Sequence, residues 1–247
     1  MIRTALALGL VLVTALLPAP DGPPTTPAAP ATPAAAPAAP PLPARLADTG
    51  GGSQLIVAVA PAAGSTTGRV TWWDRWAGHW VERGSAEARF GTNGLTDGTT
   101  RQQGTSTTPT GLYDLPYAFG IRPAPAGTAY DYRPVGPDSW WCQDNRSTAY
   151  NRWAEPLPAD CAPGDAEHLV TYPEQYAYAL VIGFNYDRPV RGRGSGIFLH
   201  VHGKGPTAGC VSVSEQAMQE ILRWADPERH PHIAVGTESG PLAVTRY

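Results

Sequence analysis

Gly196-Ile197-Phe198-Leu199-His200-Val201-His202-Gly203-Lys204-Gly205-Pro206-Thr207-Ala208-Gly209-Cys210-Val211-Ser212-Val213 is the stretch on which the reading of this chain turns. An apolar run ends in histidine and a Gly/Pro-rich loop follows. A cysteine then sits directly after a glycine, at the head of a second apolar run. With 196–201 as a β-strand, His200 and His202 point to one face, because strand side chains alternate. The short loop 203–209 can carry Cys210 back to the strand end. A free thiol has a pKa of ~8.5, so little of it is thiolate at neutral pH. A histidine nearby can take that proton and leave a reactive thiolate–imidazolium pair. Cys210 therefore reads as a nucleophile and a histidine of this stretch as its base. Gly209 admits another group close to the backbone, and the amides around Gly209 and Cys210 suit an oxyanion hole.

Beyond Cys210 the spacing predicts a helix. Ser212 or Ser214 can cap it, and Glu215 stands in its first turn. Ala217, Met218, Ile221, Leu222 and Ala225 form one stripe before Asp226-Pro227 ends it. The dipole of that helix is expected to favour a thiolate at Cys210.

The stretch resembles the active-site signature of the YkuD-type L,D-transpeptidases: a strand-end His, a loop, then Ser/Thr-x-Gly-Cys and an apolar residue. His200 matches the base, Thr207 the Ser/Thr position, and Gly209-Cys210-Val211 the core. The loop is shorter than in long-loop members. Ala208 and Ser212 stand where those often carry His and Asn or Arg, which points to a short-loop branch. Thr107-Thr108-Pro109-Thr110-Gly111-Leu112-Tyr113 resembles the family's Thr-Pro-x-Gly-apolar turn, and Ala118-Phe119-Gly120 extends the likeness. Trp140-Trp141-Cys142 and Tyr150-Asn151-Arg152 resemble further elements of that branch.

The resemblance implies a mainly β fold, a curved mixed sheet or sandwich with a short helix after the catalytic cysteine. It implies acyl transfer on peptidoglycan stem peptides with no cofactor. Cys210 forms a thioester, His200 serves as base and then acid, Thr207 orients the loop or the imidazole, and Gly209 belongs to the catalytic turn. An amine then resolves the thioester; water in its place makes the site an L,D-carboxypeptidase. His202, Ser212 and Arg193 are the expected substrate-side residues. A rival alignment takes His202-Gly203 as the family's His-Gly pair. His200 is preferred as base because three apolar residues lead straight into it.

The start of the chain has the form of an export signal. Met1-Ile2-Arg3 is a short basic region and Thr4–Leu17 an apolar run of fourteen residues, short for a membrane span. Residues 1–19 are therefore expected to be a signal peptide, with an uncleaved anchor as the alternative. Eleven prolines lie in 18–45, so 20–50 is expected to be a disordered Pro/Ala-rich tether. That leaves 51–247 as one catalytic domain, folded from near Gly50. The protein is expected to be secreted to the cell wall and monomeric. A net charge of −3 provides no basic face for nucleic acid. Eight Trp and ten Tyr against four Phe suit a groove for sugar or peptide.

Between these ends the pattern is mostly strand. Strands are expected at 55–60, in a hairpin of 69–73 and 79–82 around a turn at 74–78, and at 112–115, 178–186, 233–236 and 242–245. The insert 122–168 lacks regular periodicity and is expected to form a lid or cleft wall. It holds Cys142 and Cys161. Export favours a disulfide, and of three possible pairings Cys142–Cys161 leaves Cys210 free.

Other chemistries fit less well. His200, His202, Cys210 and His230 or His232 include zinc-ligand types, yet no CxxC or HExxH occurs, so no metal is expected. Neither a Gly-x-Ser-x-Gly nor a phosphate-loop order is present. A non-catalytic wall-binding module accounts for the export signal and the aromatics, but not for the His/Cys arrangement.

Overall fold

A computed structural model describes residues 40–247; the expected signal peptide and most of the expected tether lie outside the described residues. In chain order the strands are β1 (Gln54–Ala60), β2 (Thr67–Trp76), β3 (His79–Arg89), β4 (Leu95–Asp97), β5 (Thr108–Asp114), β6 (Ala118–Gly120) and β7 (Tyr132–Pro134). They continue as β8 (Trp140–Cys142), β9 (Arg152–Ala154), β10 (Ala166–His168), β11 (Ala179–Val181), β12 (Phe198–Val201), β13 (Val211–Val213) and β14 (His232–Thr237). Helix α1 spans Glu215–Trp224. Eleven strands form one mixed sheet in the order β4-β5-β14-β1-β2-β3-β13-β12-β11-β6-β7, and β10-β8-β9 form a small second sheet. The mainly β architecture with one helix after Cys210 is the expected one.

β1 is central, and its unbroken apolar sequence follows from burial on both faces. Ile56, Ala58 and Ala60 pack into the large core that α1 covers. Leu55 and Val57 face the other way, against Trp73, Ala234 and Val244. Leu42 and Leu46 help to cover that second face, around a 3-10 turn at Leu42–Arg45. Asp48 N donates to Tyr247 O at 3.0 Å. The ordered part thus begins before Gly50: residues 42–46, expected in the tether, are attached to the sheet because its apolar face needs a cover.

α1 forms as its spacing dictates. Ser214 is the cap, its hydroxyl accepting from Ala217 N at 3.2 Å, and Ala217, Met218, Ile221 and Leu222 are buried. The β2–β3 hairpin is longer than expected, because Ala77 and Gly78 turn the chain alone with φ of +47° and +83°. Both central residues are left-handed, as a tight hairpin turn requires. Two other expectations are corrected. The 178–186 strand shortens to Ala179–Val181, and the last expected strand is a 3-10 turn at Val244–Arg246. The insert 122–168 is ordered around β8–β10, with the Cys142–Cys161 disulfide beside them.

Candidate active site

β12 and β13 are parallel neighbours, with Leu199 beside Val211 and His200 beside Ser212. A parallel pair requires the connecting chain to run back to the start of the first strand. Loop 202–210 does so, and it delivers Cys210 to the beginning of β12 rather than to its end. Phe198 N donates to Cys210 Sγ at 3.4 Å, and the thiol donates to Gly196 O at 3.4 Å. Alternation then sorts the side chains. Leu199, Val201, Val211 and Val213 enter the large core beneath α1. Phe198 and Cys210 lie on the opposite face with Trp141, Tyr176 and Phe119.

On that face Cys210 and His200 line one cavity of about 230 Å³, with Thr207, Ala208, Glu167, Tyr176 and the loop from Gly203 among its walls. Cys210 is 7% exposed and His200 6%. Nδ1 of His200 lies 2.7 Å from Val201 O. A carbonyl only accepts, so Nδ1 carries the proton and Nε2 is the basic nitrogen. The Tyr176 ring stands edge-on to the imidazole, with centroids 5.7 Å apart.

Thr207 holds the turn before Cys210. Its hydroxyl accepts from Gly209 N at 3.1 Å and donates to Cys210 O at 2.7 Å. Gly209 has φ of +143°, and a Cβ there would meet Arg101 Nη2 at 2.8 Å and Thr107 O at 3.0 Å. Glycine is thus required by both conformation and space. The Gly209 amide is engaged by Thr207, so it is committed within the turn rather than offered to an oxyanion.

The three expected substrate-side residues are not in the cavity. His202 lies just past the end of β12 and lines a separate groove with Arg89, Glu87 and Glu220. Its Nδ1 is 3.0 Å from Ser212 Oγ. Ser212 is fully buried, since β13 sits between β12 and β3. Arg193 lines a depression beside Thr99–Gln103 and contributes its carbonyl to Arg101 Nη1 at 3.2 Å. His200 and His202 share a strand parity but part company because β12 stops at Val201.

Burial dominates the electrostatics. It pushes the Cys210 thiol up to about 12; the Glu167 charge adds to this, while the Phe198 amide and Arg101 oppose it. Burial pushes His200 down to about 4, partly offset by the Val201 carbonyl. Both shifts favour the neutral thiol–imidazole form over the expected thiolate–imidazolium pair. The α1 terminus does not alter this: β13 separates it from Cys210, and the helix packs on the sheet's other face.

A buried neutral histidine makes stability pH-dependent. Between about pH 6.5 and 4 the unfolded chain binds a proton that folded His200 does not, so stability falls as pH falls through that window. The shift corresponds to about 3 kcal/mol by the acid end. Urea unfolding at about pH 7 and about pH 4 should show a loss larger in wild type than in His200→Asn by about that amount, since His202, also lowered by burial, contributes to both. Equal losses would mean that the imidazole is solvated.

Three residues of the site are not singled out by the sequence. Arg101 is 6% exposed. It donates from Nε to Thr107 O at 2.7 Å and forms no ion pair among the described residues. Glu167 and Tyr176 enter the cavity wall from β10 and the turn Gln175–Ala177. Glu167 falls within the insert 122–168, for which a lid or cleft wall is expected. Among the described residues no cluster of His, Cys, Asp and Glu is arranged to hold a metal.

Residues 63–238 match the L,D-transpeptidase catalytic domain family, YkuD. No curated protein matches. Among solved structures, Bd1075 of Bdellovibrio bacteriovorus is similar at 15% identity, over 74% of this chain and 47% of that one, with a TM-score of 0.34. The chain spans about half the length of that protein.

Proposed function

The chain belongs to the YkuD family of L,D-transpeptidase catalytic domains, and we propose that it is a cysteine acyltransferase that joins peptidoglycan stem peptides through a thioester on Cys210. The observation that supports the reading is that Cys210 and His200 both line one cavity. Cys210 attacks the carbonyl between an L-centre and a terminal D-amino acid. Because the resting pair is neutral, the thiol proton passes to His200 Nε2 as the S–C bond forms. His200 then protonates the leaving D-amino acid. An amine of a second stem attacks the thioester and releases Cys210. Thr207 and Gly209 hold the turn that presents the sulfur. The N-terminal pattern of residues 1–19 supports export to the wall, which fractionation of cells expressing the full chain tests.

The direct test is whole-protein mass spectrometry with a carbapenem, then with a tetrapeptide stem. A single covalent adduct mapping to Cys210 is expected, and absence of adducts from both reagents rejects the acyltransferase reading. Product analysis on the stem separates amide formation from hydrolysis.

The two histidines are separable by the same readout. His200→Ala should slow adduct formation by about 10²-fold or more, the usual loss for a general base. His202→Ala, outside the cavity, should slow it by less than about tenfold. Alkylation of Cys210 by a small thiol reagent should climb with pH through and beyond ~8.5, without an acidic limb. A reactive thiolate below about pH 7 would show that the resting pair is ionic.

A further inference from the structure

The wall of the Cys210 cavity contains a carboxylate that acylation does not use. Glu167 lies on β10, opposite Trp141 of β8, and the neighbouring pair is Ala166 with the disulfide-bonded Cys142. Its position is thus held by a sheet and a covalent link. Tyr176 Oη donates to Glu167 Oε2 at 2.6 Å, and the same ring packs edge-on against His200. Glu167 forms no ion pair among the described residues. The other titratable groups lining the cavity are Tyr172, Tyr176, His200, Lys204 and Cys210.

A carboxylate beside the nucleophile hinders the first half of the reaction, because its charge disfavours a thiolate. It is complementary to a cation entering the cavity. The second half of the reaction brings one. An alkyl amine arrives as ammonium at neutral pH and cannot attack until it loses a proton. Water as acceptor has no such charge to match.

We propose that Glu167 is the residue that receives the acceptor amine, binding it as ammonium and removing its first proton, so that the thioester partitions toward transfer rather than hydrolysis. The inference rests on the thioester reading above. One proton moves from R–NH3+ to the Glu167 carboxylate. The free amine attacks the thioester carbon, the C–N bond forms, and the C–S bond breaks with its electron pair going to sulfur. The second proton leaves nitrogen for His200 Nε2 and passes to the Cys210 sulfur, restoring the thiol. Glu167 releases its proton to solvent. Burial raises the Glu167 carboxyl above the usual range, with the Tyr176 and Gln143 side chains in opposition, which makes it a stronger base than an exposed carboxylate.

The test compares wild type with Glu167→Gln and Glu167→Asp, using a tetrapeptide stem as donor and a primary amine as acceptor. In Glu167→Gln the acyl-enzyme should form at least as fast as in wild type, because the charge that disfavours the thiolate is gone, while the ratio of amide to hydrolysis product falls by at least about tenfold. The ratio should recover as pH approaches ~10, where the amine is already free. Glu167→Asp keeps the charge and should retain most of the transfer. An unchanged ratio in Glu167→Gln overturns the proposal. So does an equal loss of acylation and transfer, which would mean that Glu167 only props Tyr176 and His200. Absence of an acyl-enzyme in wild type is a separate outcome; it removes the thioester reading and this inference with it. Should Glu167→Gln fail to fold, the Asp variant decides: an amide-to-hydrolysis ratio at least about tenfold below wild type, with acylation intact, contradicts a role for the charge.

Discussion

Replacing Cys210 with serine is expected to lower turnover on stem peptides by at least ~10³-fold while the protein stays folded. The sulfur is enclosed, 7% exposed, with Phe198 N donating to it and Gly196 O accepting from it. A serine hydroxyl can accept and donate at the same two positions in slightly less space, so the turn 207–210 survives. The chemistry does not. Serine is the weaker nucleophile, and a neutral imidazole held low by burial is a poor base for an alcohol. Cross-link formation on isolated sacculi should vanish, with the circular dichroism spectrum and the melting temperature close to wild type. Turnover retained within about tenfold would remove Cys210 from the reaction and favour a wall-binding module.

Removing the insert's disulfide should cost about 3 kcal/mol of stability. Cys142 and Cys161 are 19 residues apart, and the bond restricts the unfolded chain across that loop. Hydrogen bonds span the same loop: Ala162 N donates to Asp144 Oδ2 at 3.1 Å, and Thr148 N donates to Asp160 Oδ2 at 2.8 Å. These preserve the shape of the folded insert, so the loss should appear in the unfolding equilibrium rather than in the structure. The double variant Cys142→Ala/Cys161→Ala, which leaves no new thiol, should show it in urea titration. Adduct formation at Cys210 should persist in the folded fraction, because β12 and β13 belong to the main sheet and not to the insert. A loss below about 1 kcal/mol would assign the insert's stability to its polar contacts.

α1 was legible because its information is local. A cap at Ser214 and a stripe repeating every three to four residues fully specify a helix on a sheet. The Thr207–Cys210 turn was legible for a similar reason: hydroxyl, glycine and thiol lie within four residues and bond to one another. The hairpin was placed but mis-measured. The turn is only two residues long and opens on Ala77, whose left-handed φ its residue type does not announce.

His202 shows where period-two reasoning stops. It shares parity with His200, yet the strand ends between them, and strand length depends on pairing with β11 and β13, which no local residue encodes. Ser212 is enclosed for the same reason: its burial follows from β3 pairing with β13. The approach of Arg101 to Gly209 crosses more than a hundred residues of chain. Glu167 reaches the cavity only because β10 pairs with β8 and Tyr176 bonds to it.

By itself the sequence determined the family, the nucleophile and base candidates, the helix and the mainly β class, because these rest on residue chemistry and short-range periodicity. Tertiary structure alone decided the direction of the Cys210 return, the neutral resting pair, and the carboxylate opposite it. Each of these depends on burial and on contacts between segments distant in the chain. Desolvation is a property of the assembled fold: residue type fixes that burial raises a thiol and lowers an imidazole, but only the fold decides that both are buried.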